Sequence, residues 1–119
     1  MTKHSIQKRS NRRGADFERE CASKMAHMGA RRIPRLGDYS QSVPDIRFTA
    51  ESKLNHLLVD CKKHASFRQH TLFDEIETKY CIDPKIEESV LLTQQFGEKK
   101  TLATIDFDFF IELLERYLK

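Results

Sequence analysis

The sequence predicts one α/β domain with a mixed central β-sheet flanked by helices, in the order α, three β, α, two β, α. Three observations carry this. Apolar residues recur at helical spacing in three segments. Short runs of strand length lie between those segments, bounded by Gly, Pro, Asn, Asp and Ser. The chain has 119 residues, 39% of them hydrophobic and 33% charged. That fits one compact domain with one core, and it excludes a disordered or coiled-coil profile.

The elements follow in order. Residues 1–12 read as a basic flexible arm, and residues 13–119 as a single domain. From Gly14 to about Met28, the residues Phe17, Cys21, Met25 and Met28 fall on one helical stripe. Glu18 lies beside Ala22 and Met25 at the edge of that stripe, not on the outer face with Arg19, Glu20 and Ser23. Gly29 suits a helix C-cap. Arg31 to Leu36 reads as a short strand, and residues 37–42 as a loop. Val43–Thr49 and His56–Lys62 form the next two strands, joined by the polar Ala50–Asn55 connection. Thr71-x-x-Asp74 resembles a capping box that opens a helix running to about Cys81. Ser89–Gln95 and Thr101–Ile105 are strands around a Gly97 turn, with Gln94 and Gln95 on the strand surface. Asp106 then caps a last helix with Phe110, Leu113, Leu114, Tyr117 and Leu118 as its apolar stripe.

Charge and cysteine usage bound the function. Residues 1–36 hold ten Lys/Arg and three Asp/Glu, whereas residues 37–119 hold eleven and fifteen. Lys3, Lys8, Arg9, Arg12 and Arg13 precede any acid. A basic end on an otherwise acidic chain points to a polyanion partner. No apolar run has the length of a membrane span, and the N-terminus lacks the hydrophobic core of a secretory signal. Cys21, Cys61 and Cys81 are odd in number, with no C-x-x-C spacing. A cytoplasmic, reducing setting and no membrane partner are therefore expected.

The chemistry concentrates on the central hairpin. Side chains alternate along a strand, so Leu58, Asp60 and Lys62 share one face, and Asp45, Arg47 and Thr49 share one face of the preceding strand. A hairpin symmetric about its loop pairs Phe48 with Leu57 and Asp45 with Asp60. Two like charges opposed on a sheet are destabilising unless a cation holds both. Mg²⁺ takes oxygen ligands, with one or two carboxylates plus phosphate oxygens and water. Lys62 then stands beside the metal to hold a phosphate oxygen or orient a water. Glu18, on a helix packed against the sheet, is a candidate third carboxylate.

These residues resemble a known family. Pro44-Asp45 on one strand followed by Asp60-Cys61-Lys62 on the next is similar to the signature of the PD-(D/E)XK nuclease superfamily. The stretch R-G-A-D-F-E-R-E, from Arg13 to Glu20, resembles the opening helix of the archaeal-type Holliday junction resolvases, which also occur in viruses. The resemblance covers roughly residues 12 to 63 and implies a restriction-endonuclease-like fold. It implies Glu18, Asp45 and Asp60 as metal-binding acids, with the Cys61 carbonyl as a further ligand and Lys62 as the catalytic lysine. It also implies a serine in the loop before the Pro-Asp strand, for which Ser40 fits better than Ser42. Arg13 would contact phosphate. Asp60 stands where this branch more often has Glu.

The expected function is a Mg²⁺-dependent DNA endonuclease, with Mn²⁺ as a substitute metal, that resolves four-way junctions. Alternatives are another nuclease of the superfamily acting on duplex or flapped DNA, and a non-catalytic DNA-binding module. Arg9, Arg12, Arg13, Arg31, Arg32, Arg35 and Lys63 are the expected phosphate contacts. Cutting a two-fold symmetric junction twice implies a homodimer. The crowded Phe107, Phe109, Phe110 and Ile111 offer apolar surface for its interface. His64 and His70 are expected to be solvated, and Gln69 resembles a helix glutamine of some relatives.

Overall fold

The computed structural model describes residues 3–33 and 43–119, with side chains from Gly14 onward. Helix α1 spans Lys3–Met25 and passes through a 3₁₀ turn, Ala26–Met28, into strand β1, Ala30–Arg32. Strands β2 (Ile46–Phe48) and β3 (Leu57–His64) follow, then helix α2 (Gln69–Tyr80). Strands β4 (Glu88–Gln95) and β5 (Leu102–Thr104) lead to helix α3 (Phe107–Tyr117). The sheet runs β1-β2-β3-β4-β5. Only β3 and β4 are parallel, with α2 as their crossover. The expected α/β class, element order and mixed sheet are all present.

Each face of the sheet has its own helix. Phe17, Cys21 and Ala22 of α1 pack on Ile46, Phe48, Val59 and Cys61. Ile76 and Tyr80 of α2 pack on Leu58 and Leu91 from the other side. Alternation along β3 thus sends Val59 and Cys61 to α1 and sends Leu58, Asp60 and Lys62 to the α2 side. Among the described residues no helix is long and apolar enough to cross a membrane.

Local rules account for several boundaries. Gly29 ends the 3₁₀ turn at φ 92°, where its N–H reaches the Ala26 carbonyl, and Gly97 turns the chain at φ 81°. The Asp106 side chain accepts hydrogen bonds from the N–H groups of Asp108 and Phe109, capping α3 as expected.

Other boundaries differ from the sequence reading. The backbone is helical from Lys3, where a flexible arm was expected. Residues 3–13 contain Lys, Gln and Arg, which favour helix, and no Pro. The 3₁₀ turn takes Met28 off the α1 stripe and leaves it exposed. Thr71 opens no helix: α2 already starts at Gln69, with Arg68 as an N-cap that makes no side-chain bond. Gln94 is buried, its amide donating to the Lys99 carbonyl at 3.3 Å. The turn after β4 folds back over Gln94 through that carbonyl, whereas Gln95 is exposed as expected. Arg35, Ser40 and Ser42 lie outside the described residues.

Candidate active site

Asp45 is set in place by backbone on both sides. Pro44 precedes it, at the start of a strand where no ladder donor is needed. The Asp45 carbonyl accepts from the Ile33 N–H at 2.9 Å, and its Oδ2 accepts from the Cys61 N–H at 2.9 Å. Asp45 is 3% exposed, its main chain tied to the residue after β1 and its carboxylate to β3.

The β2–β3 register pairs Ile46 with Val59 and Arg47 with Leu58. One further step along the same register sets Asp45 opposite Asp60, as the hairpin symmetry predicts. Asp60 is 0% exposed. Burial first, and the neighbouring Asp45 carboxylate second, push its carboxyl up from 3.8 to about 6. Lys62 acts the other way. Its ammonium Nζ lies 2.8 Å from Asp60 Oδ2, and its side chain is 28% exposed. The contact is an ion pair, and neither Asp60 oxygen accepts a hydrogen bond from the backbone or from an uncharged side chain. A buried carboxylate without hydrogen bonds is costly, and here a second carboxylate stands against it.

That arrangement fits a divalent cation. Two convergent carboxylates of which one has both oxygens unsatisfied form the donor set that Mg²⁺ or Mn²⁺ uses. Asp45 and Asp60 would hold it. The ammonium of Lys62 already marks the position as one where positive charge is favoured.

The remaining expected site residues fall elsewhere. Glu18 accepts from Arg32 Nε at 2.9 Å in a partly buried ion pair. Arg32 is in register with Ile46 and shares its face, the one covered by α1. The structure therefore gathers Asp45, Asp60 and Lys62, and it pairs Glu18 with an arginine. Among the described residues no group of three or more His, Cys, Asp or Glu side chains is placed to hold a metal ion. Arg32, expected at phosphate, is engaged with Glu18. Arg31 is exposed and bonds the Ala30 carbonyl. Cys61 is buried, facing α1, as a core residue that offers backbone alone. Lys63 leaves β3 on the side opposite Lys62. The backbone at Arg9, Arg12 and Arg13 is helical, and their side chains lie outside the described residues.

Two further residues stand beside the site: Thr93, which had no sequence signal, and Gln69, which the resemblance singled out. Thr93, 3% exposed, is the register partner of Lys62 on β4. Gln69 donates from Nε2 to Thr104 Oγ1 at 2.8 Å and, less closely, to Thr93 Oγ1 at 3.5 Å. It ties the start of α2 to β4 and β5. His64 is exposed and stacks on Phe67, with ring centroids 5.2 Å apart and planes at 8°. No family model matches the chain, and no curated protein or solved structure matches it.

Proposed function

We propose that this chain is a divalent-metal-dependent DNA endonuclease of restriction-endonuclease-like fold that cuts branched DNA as a Holliday junction resolvase does. One observation carries the reading: the fully buried, unsatisfied Asp60 carboxylate beside Asp45 and Lys62. A structural role alone gives no reason to retain it, since an amide or an apolar residue would fill the position at lower cost.

Mg²⁺ bound at Asp45 and Asp60 supplies Lewis acidity towards a phosphate oxygen and lowers the pKa of a coordinated water. The other contributions come from the chain. Asp45, clamped to the Cys61 N–H, fixes the geometry. Lys62 is exposed enough to exchange its contact with Asp60 for a phosphate oxygen, where it stabilises the charge of the transition state. The uncapped N-terminus of α2, next to Arg68, adds a favourable potential for anions at the C-terminal end of β3.

Helix α3 supports a homodimer. Phe109 anchors it to the core, while Phe107 (72%), Tyr117 (87%) and the intervening Phe110, Ile111 and Leu114 remain exposed. With Leu113 and Leu118, also exposed, seven side chains of about 200 Å² each, a little over half exposed, give roughly 700–800 Å². That is close to the ~800 Å² each partner contributes to a standard interface. A second copy covers this stripe and supplies the second active site that a two-fold junction needs.

The test is a cleavage assay with Mg²⁺ on a labelled four-way junction and a matched linear duplex, with Asp45→Asn alongside. Paired cuts in the junction alone, lost in the variant, are the expected result. Cutting of both substrates would move the protein to the general duplex nucleases. Tight binding without cutting of either would overturn the catalytic reading and leave a DNA-binding module.

A further inference from the structure

A cleft of about 360 Å³ opens at the C-terminal ends of β3 and β4, lined by Phe67, Gln69, Thr93, Gln95, Glu98, Lys100 and Leu102. Its floor reaches the strand position beside Lys62. Thr93 is the register partner of Lys62 and shares its face of the sheet, so the two backbones lie one strand spacing apart, about 4.8 Å. Whatever occupies the cleft touches the neighbourhood of a phosphate held at Lys62.

The lining has the chemistry of a base site. The Phe67 ring is held by stacking on His64. Aromatic rings in nucleic-acid grooves stack bases of any sequence. The Gln69 amide is fixed by donating from Nε2 to Thr104 Oγ1 at 2.8 Å, which leaves Oε1 as the acceptor for a base edge. The Gln95 amide is 3.5 Å from its nearest carbonyl acceptor, a contact too long to restrain it. Lys100 and Glu98 are both exposed and bring one charge of each sign to the rim, so the base and not net charge carries the recognition. The volume is at the lower end of small-ligand sites. It admits one nucleotide and excludes a duplex, whose grooves and paired bases are far larger.

We propose that this cleft is a nucleobase subsite: it takes one unpaired base next to the phosphate at Lys62, stacked on Phe67 with its edge on Gln69. This rests on the nucleic-acid reading of the acids and adds a source of substrate choice. A base in a regular duplex has both faces stacked and its pairing edge occupied. A base at a branch is the least costly to unpair, so the cleft favours branched over linear DNA.

The experiment titrates ¹⁵N-labelled full chain with dAMP and, separately, with 2-deoxyribose 5-phosphate, following the side-chain amides of Gln69 and Gln95. The expected result is that dAMP shifts both amides and the abasic sugar phosphate shifts neither. Loss of stacking in Phe67→Ala weakens dAMP binding roughly ten-fold, and Phe67→Tyr restores it. Equal shifts by the sugar phosphate, unchanged binding in Phe67→Ala, or no shift of either amide would overturn the subsite. Cleavage of the junction is read in parallel. A protein that cuts but does not bind dAMP here loses only the subsite. One that binds dAMP in the cleft but never cuts loses the nuclease reading and keeps the subsite.

Discussion

The sharpest consequence of the structure concerns Asp60→Asn. The carboxyl is pushed up from 3.8 to about 6, so the native state holds its proton more tightly than the unfolded chain does. Between about pH 4 and pH 6 the folded protein binds more protons, and stability therefore falls as pH rises through that window. At 1.36 kcal/mol per pKa unit, the ionised carboxylate costs the fold about 3 kcal/mol near neutral pH. Asparagine removes that charge but leaves a buried amide to satisfy, at about 1–3 kcal/mol. The Lys62 pair is already contained in that cost, because its ammonium opposes the upward shift. Near neutral pH the gain and the loss leave Asp60→Asn between as stable as the natural protein and about 2 kcal/mol more so. Around pH 4 the gain vanishes and the variant is less stable by about 1–3 kcal/mol. Thermal unfolding followed by circular dichroism, in EDTA at the two pH values, reads the difference. A shift of roughly 4 °C per kcal/mol is expected for a chain of this size. Millimolar Mg²⁺ should then raise the melting temperature of the natural protein and not that of the variant. An equal loss of stability in Asp60→Asn at both pH values would refute the reasoning, because the carboxylate would then be stabilising in its charged form.

Further outcomes follow from other parts of the molecule. Gly29→Ala should cost about 1–2 kcal/mol in chemical denaturation, since the added methyl sits at φ 92° and meets Thr49 Oγ1 at 3.1 Å; an unchanged midpoint would mean the turn relaxes freely. Asp106→Ala removes the acceptor of two N–H groups of α3 and should cost about 1 kcal/mol, with Asp106→Asn retaining most of it. Phe107→Ser combined with Tyr117→Ser should convert a dimer to a monomer in sedimentation while leaving the folded core intact; a natural protein that sediments as a monomer at high concentration would remove α3 as an interface.

Much of the fold was legible because local rules decided it. Gly29, Gly97 and Asp106 sit where only a left-handed turn or a cap satisfies the backbone. The Asp45–Asp60 register followed from the length of the Ala50–Asn55 connection, which closes through Asn55 Nδ2 to the Ala50 carbonyl and Arg47 to the Asn55 carbonyl. What was not legible depends on partners distant in sequence. The Glu18–Arg32 pair joins residues on separate elements, and nothing local to α1 announces it. The start of α2 at Gln69 is tied by its bonds to Thr93 and Thr104, whereas Thr71-x-x-Asp74 is a pattern that helices also carry internally. Residues 3–13 have helical propensity but no apolar period, so a pattern-based reading misses the first turns of α1.

The site itself divides into a part the fold holds and a part it leaves open. Backbone groups of two strands hold Asp45, so its position is as rigid as the sheet. Asp60 is rigid only by burial, and its charge is answered by one ammonium with access to solvent. That asymmetry makes Lys62 the adjustable component. An anion that draws Lys62 away removes the counter-charge of Asp60 and raises the energy of its bare carboxylate. By linkage, any cation or proton that then satisfies Asp60 binds more tightly when the anion is present, and the anion binds more tightly when Asp60 is satisfied. A buried acid that served packing alone would gain nothing from such coupling. At the proposed phosphodiester-cleaving centre it would give the order that the chemistry requires, since phosphate and divalent ion would each favour the arrival of the other.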